Sequence, residues 1–447
     1  MSKIQESSVG VDPGGSQKTV RRRVFVSSVL GSVIENYDFL IYATASSLVF
    51  NHVFFPQLTP AVGIIASLGT LAAGYIARPL GGIIFGQMGD RIGRKSTLIL
   101  TMILMSCATV AVGFLPGYSV LGIWAPILLV VLRLIQGIAV GGEWGGSVLM
   151  TTEHSTQARR GFFGSATNMG ASIGNLLGFV TFGFLSAVTG DAFLEWGWRI
   201  PFIATAVLLL LGLYMRLKVQ ESPLMAAAKA EPARRLPILT VIRNHPKVLL
   251  LTIGMIAGPF TVQAVVNSTG VAVATGTLGM NRNDVINAVI IALVFSGIGI
   301  PLFAMLSDKV GRRPVYAAGA GGFVIFSFFV FPLINTANWW LLLFVFVMVL
   351  GVLFSATHGT TGAILSEVYP TSIRYSGVST SFQFAAMIGG GLGPVIAASL
   401  LFSGPMGIVL VSGFLVVMTA ISFVCILLLG ETGKRDLRAI DTEGATV

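Results

Sequence analysis

Long apolar runs, broken by short polar turns, fill the chain. Twelve of them approach or exceed the ~20 residues that a membrane-spanning helix needs: 24–50, 64–88, 97–115, 121–150, 161–187, 198–217, 246–272, 284–306, 314–335, 339–365, 375–402 and 406–429. A membrane barrel would show ~10-residue alternating segments instead. The pattern therefore predicts an all-α polytopic membrane protein with 12 transmembrane helices. The longest internal polar stretch, 216–247, is rich in Lys, Arg, Pro and Ala and separates six runs from six. It reads as a linker between two halves. The expected organisation is a tail over 1–23, a six-helix bundle over 24–217, a linker over 218–245, a second bundle over 246–429 and a tail over 430–447. Arg21-Arg22-Arg23 leads directly into a first run too long for the apolar core of a cleavable signal.

Composition agrees with that solvent. Only 10% of the 447 residues are charged, against ~25% in soluble domains. The net charge of +10 comes from a one-sided distribution: 24 of the 28 Lys and Arg fall in the tails and the even-numbered turns. Of the others, Arg78, Arg133 and Arg199 lie within or at the edge of runs, and Arg282 sits in an opposite-side loop. The asymmetry places both termini in the cytoplasm and accounts for the charge without nucleic acid. Cys107 and Cys425 stand deep inside apolar runs, which excludes a disulfide framework and a thiolate metal site. Gly93-Arg94-Lys95-Ser96 lacks the order of a phosphate loop and follows no strand. Asn267-Ser268-Thr269 matches a glycosylation sequon only by chance, inside run seven. No metal, cofactor or enzyme chemistry is expected.

The halves repeat each other. Gly86-Gln87-Met88-Gly89-Asp90-Arg91-Ile92-Gly93-Arg94-Lys95 follows run two, and Ala304-Met305-Leu306-Ser307-Asp308-Lys309-Val310-Gly311-Arg312-Arg313 follows run eight. Glu153 precedes Arg160 by seven residues after run four, and Glu367 precedes Arg374 by seven after run ten. Glu221-Ser222 after run six echoes Glu431-Thr432 after run twelve. Three landmarks in order mark a tandem repeat of six spans, the layout of an alternating-access carrier.

With these strings the chain resembles the major facilitator superfamily. Further strings narrow the resemblance: Glu35-Asn36-Tyr37-Asp38-Phe39, Ala77-Arg78-Pro79-Leu80-Gly81-Gly82, Arg133-x-x-Gln136-Gly137, Gly141-Gly142-Glu143-Trp144-Gly145-Gly146, Trp196-Gly197-Trp198-Arg199-Ile200-Pro201 and Ile373-Arg374-Tyr375-Ser376-Gly377. Together they are similar to the metabolite:proton symporter family, whose carriers take proline and betaine, α-ketoglutarate, citrate or shikimate. Two positions depart from its pattern: Asn36 replaces a usual Trp, and Ala304 a usual Gly. The resemblance implies a secondary carrier of the plasma membrane with H+ as coupling ion, a small carboxylate-bearing substrate and no cofactor, working as a monomer; a zwitterionic osmolyte such as betaine or proline is the alternative cargo. A channel or membrane enzyme fits worse, since each half carries a breakable gate and no nucleophile–base pair is evident.

Candidate chemistry concentrates in the first half. Glu35 and Asp38 stand three apart near the middle of span one, on one helix face. Intramembrane acids mark proton or ion pathways by default, and the resemblance assigns proton coupling to the Asp38 position; the competing reading is a structural ion pair. Arg133 is the expected partner of Asp38 and of a substrate carboxylate, with Gln136 and Glu143 on the same stripe and Arg78, followed by Pro79, in span two. Proton coupling is expected of Asp38, Glu35, Arg133 and Glu143, and substrate contact of Arg133, Arg78, Tyr42 and Gln136. The second half offers Gln263, Asn267, His358 and Gln383, with His358 equally readable as a packing residue. The two turns and their partners read as gates: Gly86, Asp90, Arg91, Gly93, Arg94, Glu153 and Arg160, echoed by Asp308, Gly311, Arg312, Glu367 and Arg374. Asp90 is placed to cap a facing helix and pair with Arg94, and Arg94 and Arg312 to reach Glu153 and Glu367.

Overall fold

Helices form at all twelve expected places. The computed structural model describes residues 13–58, 60–190, 192–219, 221, 237–401, 403–433 and 437. The N-terminal half holds α1 (Pro13–Leu48), α2 (Pro60–Arg91), α3 (Arg94–Phe114), α4 (Trp124–His154), α5 (Gln157–Thr189) and α6 (Phe193–Leu217). The C-terminal half holds α7 (Pro246–Thr277), α8 (Arg282–Val310), α9 (Arg312–Ile334), α10 (Trp339–Val368), α11 (Arg374–Leu401) and α12 (Gly407–Leu429). Among the described residues, eleven helices are long and apolar enough to cross a membrane. α2 stands at the remaining expected place with 32 residues, ~48 Å at 1.5 Å per residue.

The halves pack alike. α1 lies on α5, α2 on α4 and α3 on α6, matched by α7 on α11, α8 on α10 and α9 on α12. Apolar clusters fill each bundle, and large side chains such as Ile76, Phe184, Ile325 and Trp340 face outward, as a lipid-facing surface requires. The halves meet where α2 runs along α11 and α5 along α8. Gly93 and Gly311 have φ of 123° and 110°, a region open to glycine but strained for other residues. That conformation lets α3 and α9 start immediately after α2 and α8.

One end of the bundle gathers the basic turns. There Arg21 donates to the His154 carbonyl, Arg374 Nη2 to the Leu437 carbonyl, and Glu221 and Glu431 reach the starts of α3 and α9. We call this end the linker face. Arg199 serves the opposite end, where it donates to the carbonyls of Gly113 and Leu115 at the close of α3, a favourable position for a cation.

Three expectations need correction. α1 extends back to Pro13, so the last part of the expected tail 1–23 is helical; the Arg-rich segment continues the helix past the membrane boundary instead of ending it. Arg216, grouped by the sequence pattern with the polar stretch 216–247, belongs to the last turn of α6 and is buried. The linker itself contains a helix, Pro237–Asn244, with Ile238 and Val241 buried against α2 and α11; Pro at its first position suits a helix start. The remaining positions expected of the tails and linker (1–12, 220, 222–236, 434–436 and 438–447) lie outside the described residues.

Wide, π-helical turns interrupt the second half at Val266–Gly270, Val273–Thr277, Val347–Phe354 and Met387–Leu392. They fall in α7, α10 and α11. Such turns often occur at functional positions, and nothing in the hydropathy pattern announces them.

Candidate functional site

α1 carries Glu35, Asp38 and Tyr42 on one face, all buried. The Asp38 oxygens accept hydrogen bonds from Thr205 of α6 at 2.8 Å and Thr109 of α3 at 2.9 Å. The expected direct contact between Asp38 and Arg133 does not form. Arg133 Nη1 donates to Gln136 Oε1 at 3.2 Å, Gln136 Nε2 donates to Thr109 Oγ1 at 2.6 Å, and Thr109 donates to Asp38. A relay of two side chains thus separates the buried cation from the buried acid.

The Arg133 guanidinium lies 4.1 Å from the ring centres of Phe39 and Tyr42. That of Arg78 lies 4.2 Å from Phe39 and 4.4 Å from Tyr75. Phe39 is therefore shared by two cations. Tyr42 donates to Thr70 at 2.8 Å, which fixes its ring. Gly74 makes room on α2: a Cβ there would fall 2.6 Å from Arg133 Nε. Arg133 Nε and Nη2 and Arg78 Nε are buried without a protein acceptor. Stacked, pre-oriented guanidiniums with unused N–H groups suit a carboxylate.

Glu143 stands apart from this cluster. It pairs with Arg216 and accepts from Thr101 at 3.3 Å. It thereby bridges α4, α6 and α3. Glu35 Oε2 is buried without a protein hydrogen bond.

The second half closes the floor beneath the cluster. Trp144 stacks on Phe382 at 3.5 Å and donates to Asn168, which donates to the His358 carbonyl at 2.7 Å. Gln383 Nε2 donates to the Gly141 carbonyl at 3.2 Å. The His358 ring stacks on Phe354 at 4.6 Å, a packing position. Gln263 and Asn267 are half-buried on α7, Asn267 within a wide turn; the structure records no hydrogen bond from either side chain to the first-half cluster.

At the linker face the repeat landmarks interlock. Asp90 caps α11, accepting from the backbone of Tyr375 at 3.0 Å and Ser376 at 2.9 Å. Asp308 caps the start of α5 at Gly161 and Phe162, at 2.7 and 3.0 Å. Both caps cross between halves. Glu153 pairs with Arg94 of its own half and with Arg374 of the other at 3.0 Å. Glu367 pairs with Arg312 of its own half at 3.3 Å and Arg160 of the other at 3.1 Å. Gly86 lies close to Ser376, whose Cα would meet a Cβ there at 2.9 Å. Arg91 is exposed and outside these contacts.

Glu221 and Glu431 cap within their halves. Glu221 accepts from the backbone of Arg94 and Lys95, and Glu431 from Arg312 at 2.8 Å and Arg313 at 3.1 Å. Partial burial would raise the Glu431 carboxyl, but the backbone N–H groups of Gly433, Arg312, Arg313 and Thr432 outweigh it and hold it below the usual range.

The sequence reading overlooked Thr109, Thr205, Phe39, Tyr75, Asn168 and Arg216. Isolated threonines in apolar runs carry little signal. Arg216 did carry one: it ends an apolar run without a turn residue before it.

Two matched six-helix halves around a buried charge cluster, joined at one end by ion pairs, are the architecture of a membrane transporter. Residues 24–248 match the family model of the sugar (and other) transporters, and residues 260–445 that of the Major Facilitator Superfamily. The Escherichia coli inner membrane metabolite transport protein YhjE is 37% identical, over 93% of this chain and 96% of its own. The E. coli shikimate transporter is 37% identical over 92% and 96%, and the E. coli proline/betaine transporter 31% over 93% and 85%. The proton:xylose symporter XylE, bound to 6-bromo-6-deoxy-D-glucose, superposes with a TM-score of 0.77 at 22% identity, covering 95% of this chain and 99% of its own. The chain belongs to the major facilitator superfamily; it is a transporter, not an enzyme.

Proposed function

We propose that the protein is a proton-coupled symporter that imports a small carboxylate-bearing metabolite by alternating access. The relay Arg133–Gln136–Thr109–Asp38 carries this reading. Arg133 has donors to spare for a substrate carboxylate, and Asp38 is a buried acid held only by hydroxyls. A carboxylate binding Arg133 draws its side chain away from Gln136, and the disturbance reaches the proton site through two hydrogen bonds. Substrate and proton thereby sense each other without touching. The one-sided Lys and Arg distribution supports a cytoplasmic linker face. The locked linker face then corresponds to a carrier open to the outside, in the bacterial inner membrane of its relatives, acting as a monomer.

A betaine-type cargo is the second reading, supported by the proline/betaine relative. A quaternary ammonium seeks aromatic faces. Here Phe39, Tyr42 and Tyr75 already hold guanidiniums, which favours the anion. Uptake of radiolabelled shikimate, α-ketoglutarate, citrate, proline and glycine betaine into proteoliposomes, with and without an inward proton gradient, tests both readings. Gradient-driven uptake of an organic acid, abolished by a protonophore, is expected. Sodium-driven uptake with no response to the pH gradient overturns proton symport, and accumulation of betaine alone overturns the anion.

A further inference from the structure

The Glu143–Arg216 pair has its own approach from the linker face. A small cavity beside it is lined by Ser27, Ser28, Lys95, Leu98, Arg216 and Val219. The position is at the linker-face end of the bundle: Lys95, the second residue of α3, donates to the Leu217 carbonyl at 2.9 Å, and Val219 follows the end of α6. Gly31 of α1 faces the pair. A Cβ there would collide with Arg216 Nη2 and lie 3.1 Å from Glu143 Oε1. Gly31, Glu35 and Asp38 fall at i, i+4 and i+7, one face of α1, and span about 10 Å. Glu35, with one carboxylate oxygen unpartnered, therefore stands between the pair and Asp38. The charged groups turned toward this file are Arg78 from α2, Lys95 from α3, Arg133 and Glu143 from α4 and Arg216 from α6. The direct way down between the halves is shut at this stage by the Trp144–Phe382 stack, the Gln383–Gly141 hydrogen bond and the ion-pair lock.

We propose that the proton held by Asp38 reaches the linker face inside the N-terminal bundle, through Glu35 and Glu143, and leaves at the cavity beside Arg216, apart from the substrate's path. The inference rests on the proton-symport reading. Each step breaks one carboxyl O–H bond and forms one on the next acceptor oxygen: Asp38 to the Glu35 carboxylate, Glu35 to the Glu143 carboxylate, and Glu143 to water in the cavity. The Arg216 guanidinium pairs with the carboxylate left on Glu143 after the last step, which resets the file. Gly31 is the notch that lets the cation reach the acid.

Proteoliposomes with an imposed proton gradient test this, with radiolabelled shikimate, proline or glycine betaine as probe, whichever the wild type accumulates. Val219→Trp fills the cavity from its lining while leaving every charged residue of the file in the sequence, and Val219→Ala leaves it open. The expected result for Val219→Trp is a loss of uphill accumulation of at least tenfold, with substrate-for-substrate exchange within twofold of wild type and with Val219→Ala unaffected. Glu143→Gln removes a proton carrier and should also abolish accumulation. If Val219→Trp and Glu143→Gln both accumulate the probe uphill at wild-type rates, the side route is wrong and symport stands. Equal loss of accumulation and exchange in Val219→Trp reduces the cavity to a structural element and overturns the route. Wild-type protein that accumulates none of the probes against the gradient overturns symport and the route together.

Discussion

Asp38 tests the coupling mechanism at the level of one atom. Asn keeps the shape, and the hydroxyls of Thr109 and Thr205 rotate to meet its amide, so Asp38→Asn is expected to fold. It imitates a carrier that never releases its proton. Gradient-driven accumulation should stop, while substrate-for-substrate exchange, which needs no net proton release, survives in part. Intact uphill transport would move the coupling proton to Glu35 or Glu143. Arg133 poses a different question, because its guanidinium stacks on two rings while keeping unused donors. Arg133→Ala should weaken organic-acid binding roughly a hundredfold, about 2.8 kcal/mol. Arg133→Lys should recover little of it, since an ammonium has neither the fork nor the stacking plane. Calorimetric titration reads both; near-normal affinity in Arg133→Ala would shift the anion contact to Arg78. These two residues were visible in the sequence because a charge inside an apolar run stands out. What was not visible is that they do not touch. The intervening Gln136 was recognised as lying on the stripe, but Thr109 comes from another helix, and only packing brings it there.

At the scale of the helix, one device recurs: a distant carboxylate fills the empty backbone donors at a helix start. Asp90 does so for α11, Asp308 for α5, Glu221 for α3 and Glu431 for α9. The recurrence of Glu221 and Glu431 was legible as a repeat, and its purpose was not, because the capped helix lies over a hundred residues away. The capping by Asp90, in contrast, followed from an acid at a turn facing a helix bundle. The wide turns of α7, α10 and α11 had no sequence signal, since an inserted backbone turn leaves the apolar pattern intact. Glu431 offers a thermodynamic test. Its carboxyl is held below the usual range, so the cap contributes stability above the unfolded-state value of ~4.3, and that contribution fades as pH falls through the lower folded value. Glu431→Gln should therefore lower stability by about 1 kcal/mol at neutral pH. The gap to wild type should close in acid, as thermal melts of purified protein would show. A gap independent of pH would mean that Glu431 acts through packing alone.

Across the whole molecule, the two halves are joined by ion pairs that obey the repeat. Each glutamate has one arginine from its own half and one from the other: Glu153 with Arg94 and Arg374, Glu367 with Arg312 and Arg160. The sequence disclosed the Glu–seven–Arg spacing but not the exchange. Residues seven apart across a chain turn look like partners, whereas the structure pairs each with its counterpart in the opposite half. The arrangement divides the four partners by consequence. Removing a cross-half arginine leaves its glutamate still paired at home: in Arg374→Gln, Glu153 keeps Arg94, and in Arg160→Gln, Glu367 keeps Arg312 and the Thr432 hydroxyl. Each half should remain folded while the bond between halves is lost, and the population should shift toward opening at the linker face. Removing a glutamate instead takes the shared carboxylate from two buried arginines at once. Glu153→Gln should cost roughly 3–5 kcal/mol of bundle stability, and Glu367→Gln less, because Arg312 keeps Asp308 at 2.7 Å. Spin labels at the exposed positions Arg91 and Val310, in a background lacking Cys107 and Cys425, would follow the separation of the halves alongside thermal melts. Arg374→Gln and Arg160→Gln should lengthen the distance with little loss of melting temperature, a roughly tenfold shift in population corresponding to about 1.4 kcal/mol. The two glutamate variants should lose melting temperature first. If all four variants melt alike and leave the distance unchanged, the network is a static staple and the gate lies elsewhere, with the Asp90 and Asp308 caps next to be tested.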